Sequence, residues 1–179
     1  MVAEGFEAGG HNGREETTTL VLLPAVCNAV SIPVIAAGGI ATGRQMLAAM
    51  VLGAEGVQVG SRFVASDESS ANLKFKQAIL SAAEGDTQLS LKQLTPVRLM
   101  KNKFYDEVQQ AQQNCVSVEG LKNLLGKGRA KKGMFDGDME NGELEIGQVS
   151  AIIKNIQPAA EIVDELWGEF NFALDHPLK

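Results

Sequence analysis

Cysteine is scarce in this 179-residue chain: Cys27 and Cys115 are the only two, with no CxxC pair and no histidine at zinc-ligand spacing from either. That argues against a disulfide framework, and Cys27, set in an apolar helical stretch, reads as a small core side chain. A basic excess is also missing. The net charge of -6 and the pI near 5.0 leave no surface able to displace counterions from a phosphate backbone, which argues against nucleic acid and anionic membranes as partners. The expected partner is small or neutral. Pro24, Pro33 and the glycines interrupt every strongly apolar stretch, so none is long enough to span a bilayer. Met1-Val2-Ala3-Glu4-Gly5 lacks a basic region followed by an apolar run. A soluble, cytoplasmic protein is the expectation.

What is present is a βαβα rhythm over the first sixty residues, as in a parallel sheet. Pro33-Val34-Ile35-Ala36-Ala37 is a short apolar run stopped by Gly38-Gly39, as suits a strand buried on both faces, and Gly56-Val57-Gln58-Val59-Gly60 is a second. Between them Thr42 caps a predicted helix from Gly43 to Leu52, ended by Gly53. Thr17 to Val30 predicts another helix, with Pro24 inside as a possible kink. Asp67 to Ala83 predicts a third. Residues 1–85 are thus expected to hold the last βα units of a larger α/β fold. Residues 86–179 are expected to form a mainly helical appendage, with helices at about 97–114, 117–125, 147–156 and 158–174 and a glycine- and charge-rich stretch from Gly126 to Gly147.

The glycine pairs carry the first chemical hint. In barrels of parallel strands the active site lies at the C-terminal ends of the strands, and a phosphate is often held by the last two loops. Gly38-Gly39 and Gly60-Ser61 fit those places: glycine lets backbone N–H groups approach phosphate oxygens, and Ser61 adds a hydroxyl. Each pair alone is equally well a tight turn. The segment EGFEAGGHNG, residues 4–13, places His11 in a glycine-rich loop before a helix, with few bulky side chains to bury it. Alone it would more often be structural or solvated. Opening on the same face as the glycine pairs, an imidazole titrating near neutrality becomes a candidate proton carrier. His176, near the C-terminus, reads as a surface residue.

EGFEAGGHNG, followed by TTTLVLLPAVCNAVSIPVIAAGGIATGRQMLAAMVLGAEGVQVGSRF, resembles the C-terminal barrel half of the nitronate monooxygenase (2-nitropropane dioxygenase) family, which includes flavin-dependent enoyl-acyl-carrier-protein reductases of the FabK type. The resemblance is strong over residues 4–64 and looser to about 156. It implies the C-terminal portion of a TIM (β/α)8 barrel with non-covalent FMN. Residue by residue, it implies that His11 is catalytic and that Gly9 and Gly10 bring backbone to the flavin. It also implies that Gly38, Gly39, Gln58, Val59, Gly60 and Ser61 hold the phosphate. Gln148 is a weaker pocket candidate, for which helix capping is an equal account. Arg98, Lys101 and Asn102 resemble a family segment too, although an exposed helix face is the simpler account. No metal site is implied.

The resemblance implies one of two reactions. In the first, alkyl nitronates are oxidised with O2 to a carbonyl compound and nitrite, with His11 holding the nitro oxygens or removing an α-proton. In the second, NAD(P)H reduces an enoyl thioester on acyl carrier protein through FMN, and Lys122, Lys127, Arg129, Lys131 and Lys132 form a candidate docking cluster for an acidic carrier; a solvated loop is the blander account of that cluster. A third expectation is of another class. The chain falls short of the roughly 250 residues of a complete barrel and starts almost at the catalytic loop, so an inactive fragment, or a half-barrel completed by a second chain as a homo-oligomer, stands beside the two enzymes.

Overall fold

The computed structural model describes residues 1–177. In chain order it comprises β1 (Val2–Glu4), β2 (Gly10–His11), α1 (Thr19–Ala29), β3 (Ile35–Ala37), α2 (Gly43–Val51), β4 (Gly56–Gln58), α3 (Ser61–Val64), α4 (Leu73–Ser81), β5 (Thr87–Ser90), β6 (Val97–Met100), α5 (Lys103–Gln113), α6 (Val118–Leu125) and α7 (Ala159–Asp175). A π-helical turn at Lys131–Phe135 and a 3-10 turn at Gln148–Ile152 lie between α6 and α7. The result is a mixed α/β fold. Among the described residues, no helix is long and apolar enough to cross a membrane.

The strands expected around Ile35 and Val57 form, and β1 joins them in a parallel sheet of order β1-β3-β4. Its register aligns Glu4, Ala37 and Gln58 at the C-terminal ends of the three strands. The middle strand carries small side chains where helices crowd it: Ala36 is fully buried and Val34, just before the strand, nearly so, in one cluster with Leu23 of α1 and Ala49 of α2. Cys27 is half-buried in the same cluster, as its sequence context suggests. The structure places Thr42 as the cap of α2, in a capping box with Gln45, and Gly53 follows with φ +107°. Pro24 lies inside α1, which continues through it to Ala29. On the far side, α2 packs against α7, where the Gly43 N–H donates to the Glu169 carboxylate at 2.7 Å.

A second, antiparallel sheet has the order β2-β6-β5. This corrects the helix expected over residues 97–114. Val97 and Leu99 point into one apolar cluster with Phe104 and Val108, whereas Met100 joins another around Phe75 and Ile79. That alternation has period two, not 3.6, so the segment is a strand, and the helix starts only at Lys103, capped by the Asn102 side chain. Residues 86–179 therefore begin with a β-hairpin, and β2 pairing with β6 ties that hairpin to the N-terminal loop. Arg98 is corrected with it: the side chain is 1% exposed and lies on a central strand, not on a solvated helix face. Two other helices are shorter than expected. Asp67 to Asn72 is irregular before α4, because Asn72 supplies the cap, and the 147–156 segment is helical only as the short 3-10 turn. His176 is half-buried and stacks on Phe172 at 4.6 Å.

Candidate active site

The loop from Gly5 to Gly10 leaves the end of β1 and is fixed from three directions. The Gly5 N–H donates to the Ala37 carbonyl at 2.9 Å, extending the parallel pairing by one residue. The Phe6 carbonyl accepts from Arg98 Nε at 3.2 Å and Nη2 at 2.8 Å, and the guanidinium lies over the Phe6 ring at 4.4 Å. Burial lowers the Arg98 pKa, with Glu7 and Glu16 opposing that shift. The Glu7 carboxylate accepts from the Thr19 N–H at 3.0 Å and from its hydroxyl at 2.9 Å, at the N-terminus of α1 where a negative charge is favoured. The Glu7 carbonyl accepts the Gln148 N–H at 2.9 Å.

That arrangement puts Gly9 and Gly10 beside the turns that follow β3 and β4. Gly38 has φ +83°, and a Cβ there would lie 2.7 Å from the Gly5 carbonyl oxygen, so the turn can pass under the loop only as glycine. The Ser61 hydroxyl oxygen accepts the Gly147 N–H at 3.0 Å. Between these elements is a cavity of about 280 Å³ at the C-terminal ends of the parallel strands. Gly9, Gly10, Gly38, Gly39, Gln58, Gly60 and Ser61 all line it.

Three expected site residues stand elsewhere. Val59 packs against the apolar cluster around Leu23 and Ala36. His11 is exposed on β2, one residue beyond the cavity-lining Gly10, and its imidazole is not part of the wall, although its charge acts on Glu145, which is. The Gln148 side chain is also exposed; its neighbours Ile146 and Val149 form the wall there.

Sequence reasoning missed the acidic side of this cavity. Glu4, Glu7 and Glu145 line it, and no lysine or arginine does among the described residues. Glu4 could have been found, because it ends a strand in register with Ala37 and Gln58. Glu145 carries no local signal: it arrives through a single bridge to Leu99. Burial raises the pKa of both Glu4 and Glu145, and for Glu145 the charge of His11 opposes the shift. Glu143 is pushed up to about 7, first by burial and then by Glu145, with Arg129 opposing. Arg129 itself is turned inward, donating to the Leu124, Leu125 and Asn141 carbonyls and lying over the Phe104 ring.

A family model described as nitronate monooxygenase matches residues 1–169. The chain belongs to the nitronate monooxygenase family, a family of enzymes. It is 36% identical over 180 residues to a "Probable nitronate monooxygenase" of Staphylococcus aureus (strain MSSA476), covering 96% of this chain and 50% of that protein. It is 39% identical over 147 residues to a namesake from Staphylococcus saprophyticus, covering 74% of this chain and 41% of the relative. The chain thus spans about half the length of the curated relatives it matches. Among solved structures it is similar to FabK from Thermotoga maritima, with 39% identity, a TM-score of 0.91, and coverage of 98% of this chain and 55% of that one. It is also similar to a nitroalkane oxidase from Streptomyces ansochromogenes, with 33% identity, a TM-score of 0.78, and coverage of 98% and 52%. These two likenesses set an oxidase of nitro compounds beside a FabK enzyme.

Proposed function

We propose that this chain carries the FMN-binding and reacting part of a flavin-dependent oxidoreductase that takes a nitro compound, as the nitroalkane or its nitronate, to a carbonyl compound and nitrite with O2. The carrying observation is the convergence of the Gly9-Gly10, Gly38-Gly39 and Gly60-Ser61 segments on one cavity at the strand ends. In this reading the three parallel strands are part of a (β/α)8 barrel, whose sites lie at that end.

The residues present fit a phosphate group. Gly38 and Gly39 turn with φ +83° and +73°, which exposes backbone close to a ligand, and Gly60 has nothing within 4 Å where a Cβ would stand. Ser61 already accepts from Gly147, so its own proton is left to donate to a phosphate oxygen. FMN, when bound, would supply the electron transfer between substrate and O2. His11, from the rim, would remove the α-proton of a neutral nitroalkane in its neutral form, or hold the nitro oxygens. The Phe6 carbonyl, gripped by Arg98, keeps the loop that carries both glycines and His11 in one position.

The likeness to FabK supports a second reading, NAD(P)H-dependent reduction of an enoyl thioester on acyl carrier protein. The basic cluster at Lys122, Lys127, Arg129, Lys131 and Lys132 is depleted as a surface: Arg129 is committed to internal carbonyls and Lys132 pairs with Asp138. The experiment is to saturate the purified chain with FMN, then record oxygen uptake and nitrite release with nitroethane and ethylnitronate, and separately anaerobic flavin bleaching by NADH. Nitro-dependent oxygen uptake with indifference to NADH is expected. Rapid bleaching by NADH without nitrite release would favour the reductase, and failure to retain flavin would overturn both readings.

A further inference from the structure

In the π-helical turn at Lys131–Phe135 the Asp136 N–H donates to the Lys131 carbonyl at 3.0 Å, five residues back. Turns of this kind are rare and are frequent at functional sites. Asn72, the cap of α4, holds this one from outside: its N–H donates to the Met134 carbonyl at 2.8 Å and its side-chain amide to the Phe135 carbonyl at 3.3 Å. Gly133 is wedged against other backbone, since a Cβ there would lie 2.5 Å from the Glu143 carbonyl oxygen. The turn is therefore pinned, and its neighbouring side chains serve different ends. Phe135 is 47% exposed, whereas Met134 is half-buried, packs on the core around Phe75 and Ile79, and lines the cavity.

Met134 is unlike the rest of the apolar wall. Ile40, Val64, Ile146 and Val149 are branched at Cβ and nearly fixed at χ1, and the alanines have no rotamer to change. Ile40, Ile146 and Val149 are also buried, so the core behind them holds them in place. An unbranched thioether with three rotatable bonds instead takes the shape of whatever lies against it. Among the described residues, Met134 is thus the apolar side chain of this wall that can yield. The phosphate-fitting turns come from the ends of β3 and β4, and Met134 reaches the same cavity from a separate segment, with no polar group to offer a phosphate. Its wall suits a carbon chain.

We infer that Met134 is a specificity-determining residue: carried on the pinned turn, its side chain sets how long an alkyl chain the cavity accepts. The inference rests on the proposed flavin-dependent oxidation of nitro compounds, and it deepens that reading by naming the part of the substrate that the apolar wall measures. It holds for a nitroalkane and its nitronate alike, since both carry the same alkyl chain and Met134 has no charge to tell them apart. A single methylene that fits or fails to fit an apolar pocket changes relative rates by about tenfold or more when the pocket is rigid. A methionine in the wall softens that discrimination, and its removal opens space for a longer chain.

The test compares the wild-type holoenzyme with Met134→Ala, which cuts the side chain back to its Cβ. The ratio of kcat/KM for hexylnitronate to that for ethylnitronate is expected to rise at least about fourfold in the variant, the worth of one further buried methylene. A smaller rise, or a fall, overturns the inference. Hexanoate and propionate, inert anions of similar shape, supply a second reading by calorimetry without any need for turnover. Should wild type turn over neither nitronate, the proposed function fails, and the ratio of hexanoate to propionate affinity, judged by the same fourfold rise, still decides the role of Met134. Should Met134→Ala fail to fold by circular dichroism, Met134→Ile keeps a similar volume but is stiff at χ1. It is expected to lower the same ratio at least about threefold, and a smaller fall or a rise overturns the inference.

Discussion

The Ser61 hydroxyl oxygen stands 3.0 Å from the Gly147 amide and accepts its N–H, joining the start of α3 to the segment that closes the cavity from the C-terminal side. One hydroxyl thereby orients a wall and keeps a donor for a ligand. Ser61→Ala removes both functions. It is expected to weaken FMN binding about tenfold, the worth of one hydrogen bond to a charged group, and to cost roughly 1 kcal/mol of stability. Quenching of FMN fluorescence in a titration, with a urea melt alongside, measures the two effects.

Gly9 and Gly60 are both glycines of the cavity wall but differ in what surrounds them. A Cβ at Gly9 would fall 2.4 Å from the Ile146 carbonyl carbon and 2.5 Å from the Gly147 nitrogen, both backbone atoms that cannot step aside. At Gly60, with φ -103°, the same atom would meet nothing within 4 Å. Gly9→Ala is expected to lose roughly 2–3 kcal/mol from overpacking, and Gly60→Ala less than about 0.5 kcal/mol. Equal urea midpoints for the two variants would contradict this account of the crossing.

His11 stands at the cavity rim on a strand, tied by backbone pairing to Val97, so its side chain can be changed without disturbing the sheet. His11→Asn is expected to retain FMN and to turn over neutral nitroalkanes at least about a hundredfold more slowly, the low end for losing a general base. Its activity on preformed nitronate should suffer less. Parallel flavin spectra and nitrite assays separate loss of chemistry from loss of cofactor.

Glu143 gives stability a pH dependence. Burial, assisted by Glu145, lifts its folded-state pKa from an ordinary 4.5 to about 7, so the folded chain keeps a proton that the unfolded chain releases. Between those values the native state binds more protons, and stability falls as pH rises; the contribution is complete below about 4.5 and gone above about 7. Glu143→Gln should flatten that slope, by on the order of 1–2 kcal/mol once partial exposure is allowed for. Chemical denaturation at pH 5 and pH 8 for both proteins reads it directly.

The first sixty residues were legible because their elements are set locally. Gly38, Gly53 and Thr42 mark turns and a cap through their own backbone and side-chain chemistry, and the apolar runs between them have nowhere to go but a buried sheet. Val97–Met100 reads as helix in the sequence because four apolar or long side chains before a helix continue a helical pattern, and only the pairing with β5 makes them a strand. Arg98 followed the same error, since an arginine reads as exposed unless a carbonyl such as that of Phe6 is waiting inside. Of the site, the glycine cradle could be read from sequence, while the acidic wall could not: Glu145 reaches Gly10 across a contact spanning 135 positions that only tertiary pairing creates.

Arg98, Thr19 and Gln148 each hold a different atom of the segment from Phe6 to Glu7, so that segment has no slack to take up when something enters beside it. A receptor already set in its final shape pays little ordering entropy on capture. Stopped-flow mixing with flavin should therefore give a single exponential whose rate climbs linearly with concentration, without the plateau that a slow rearrangement would impose.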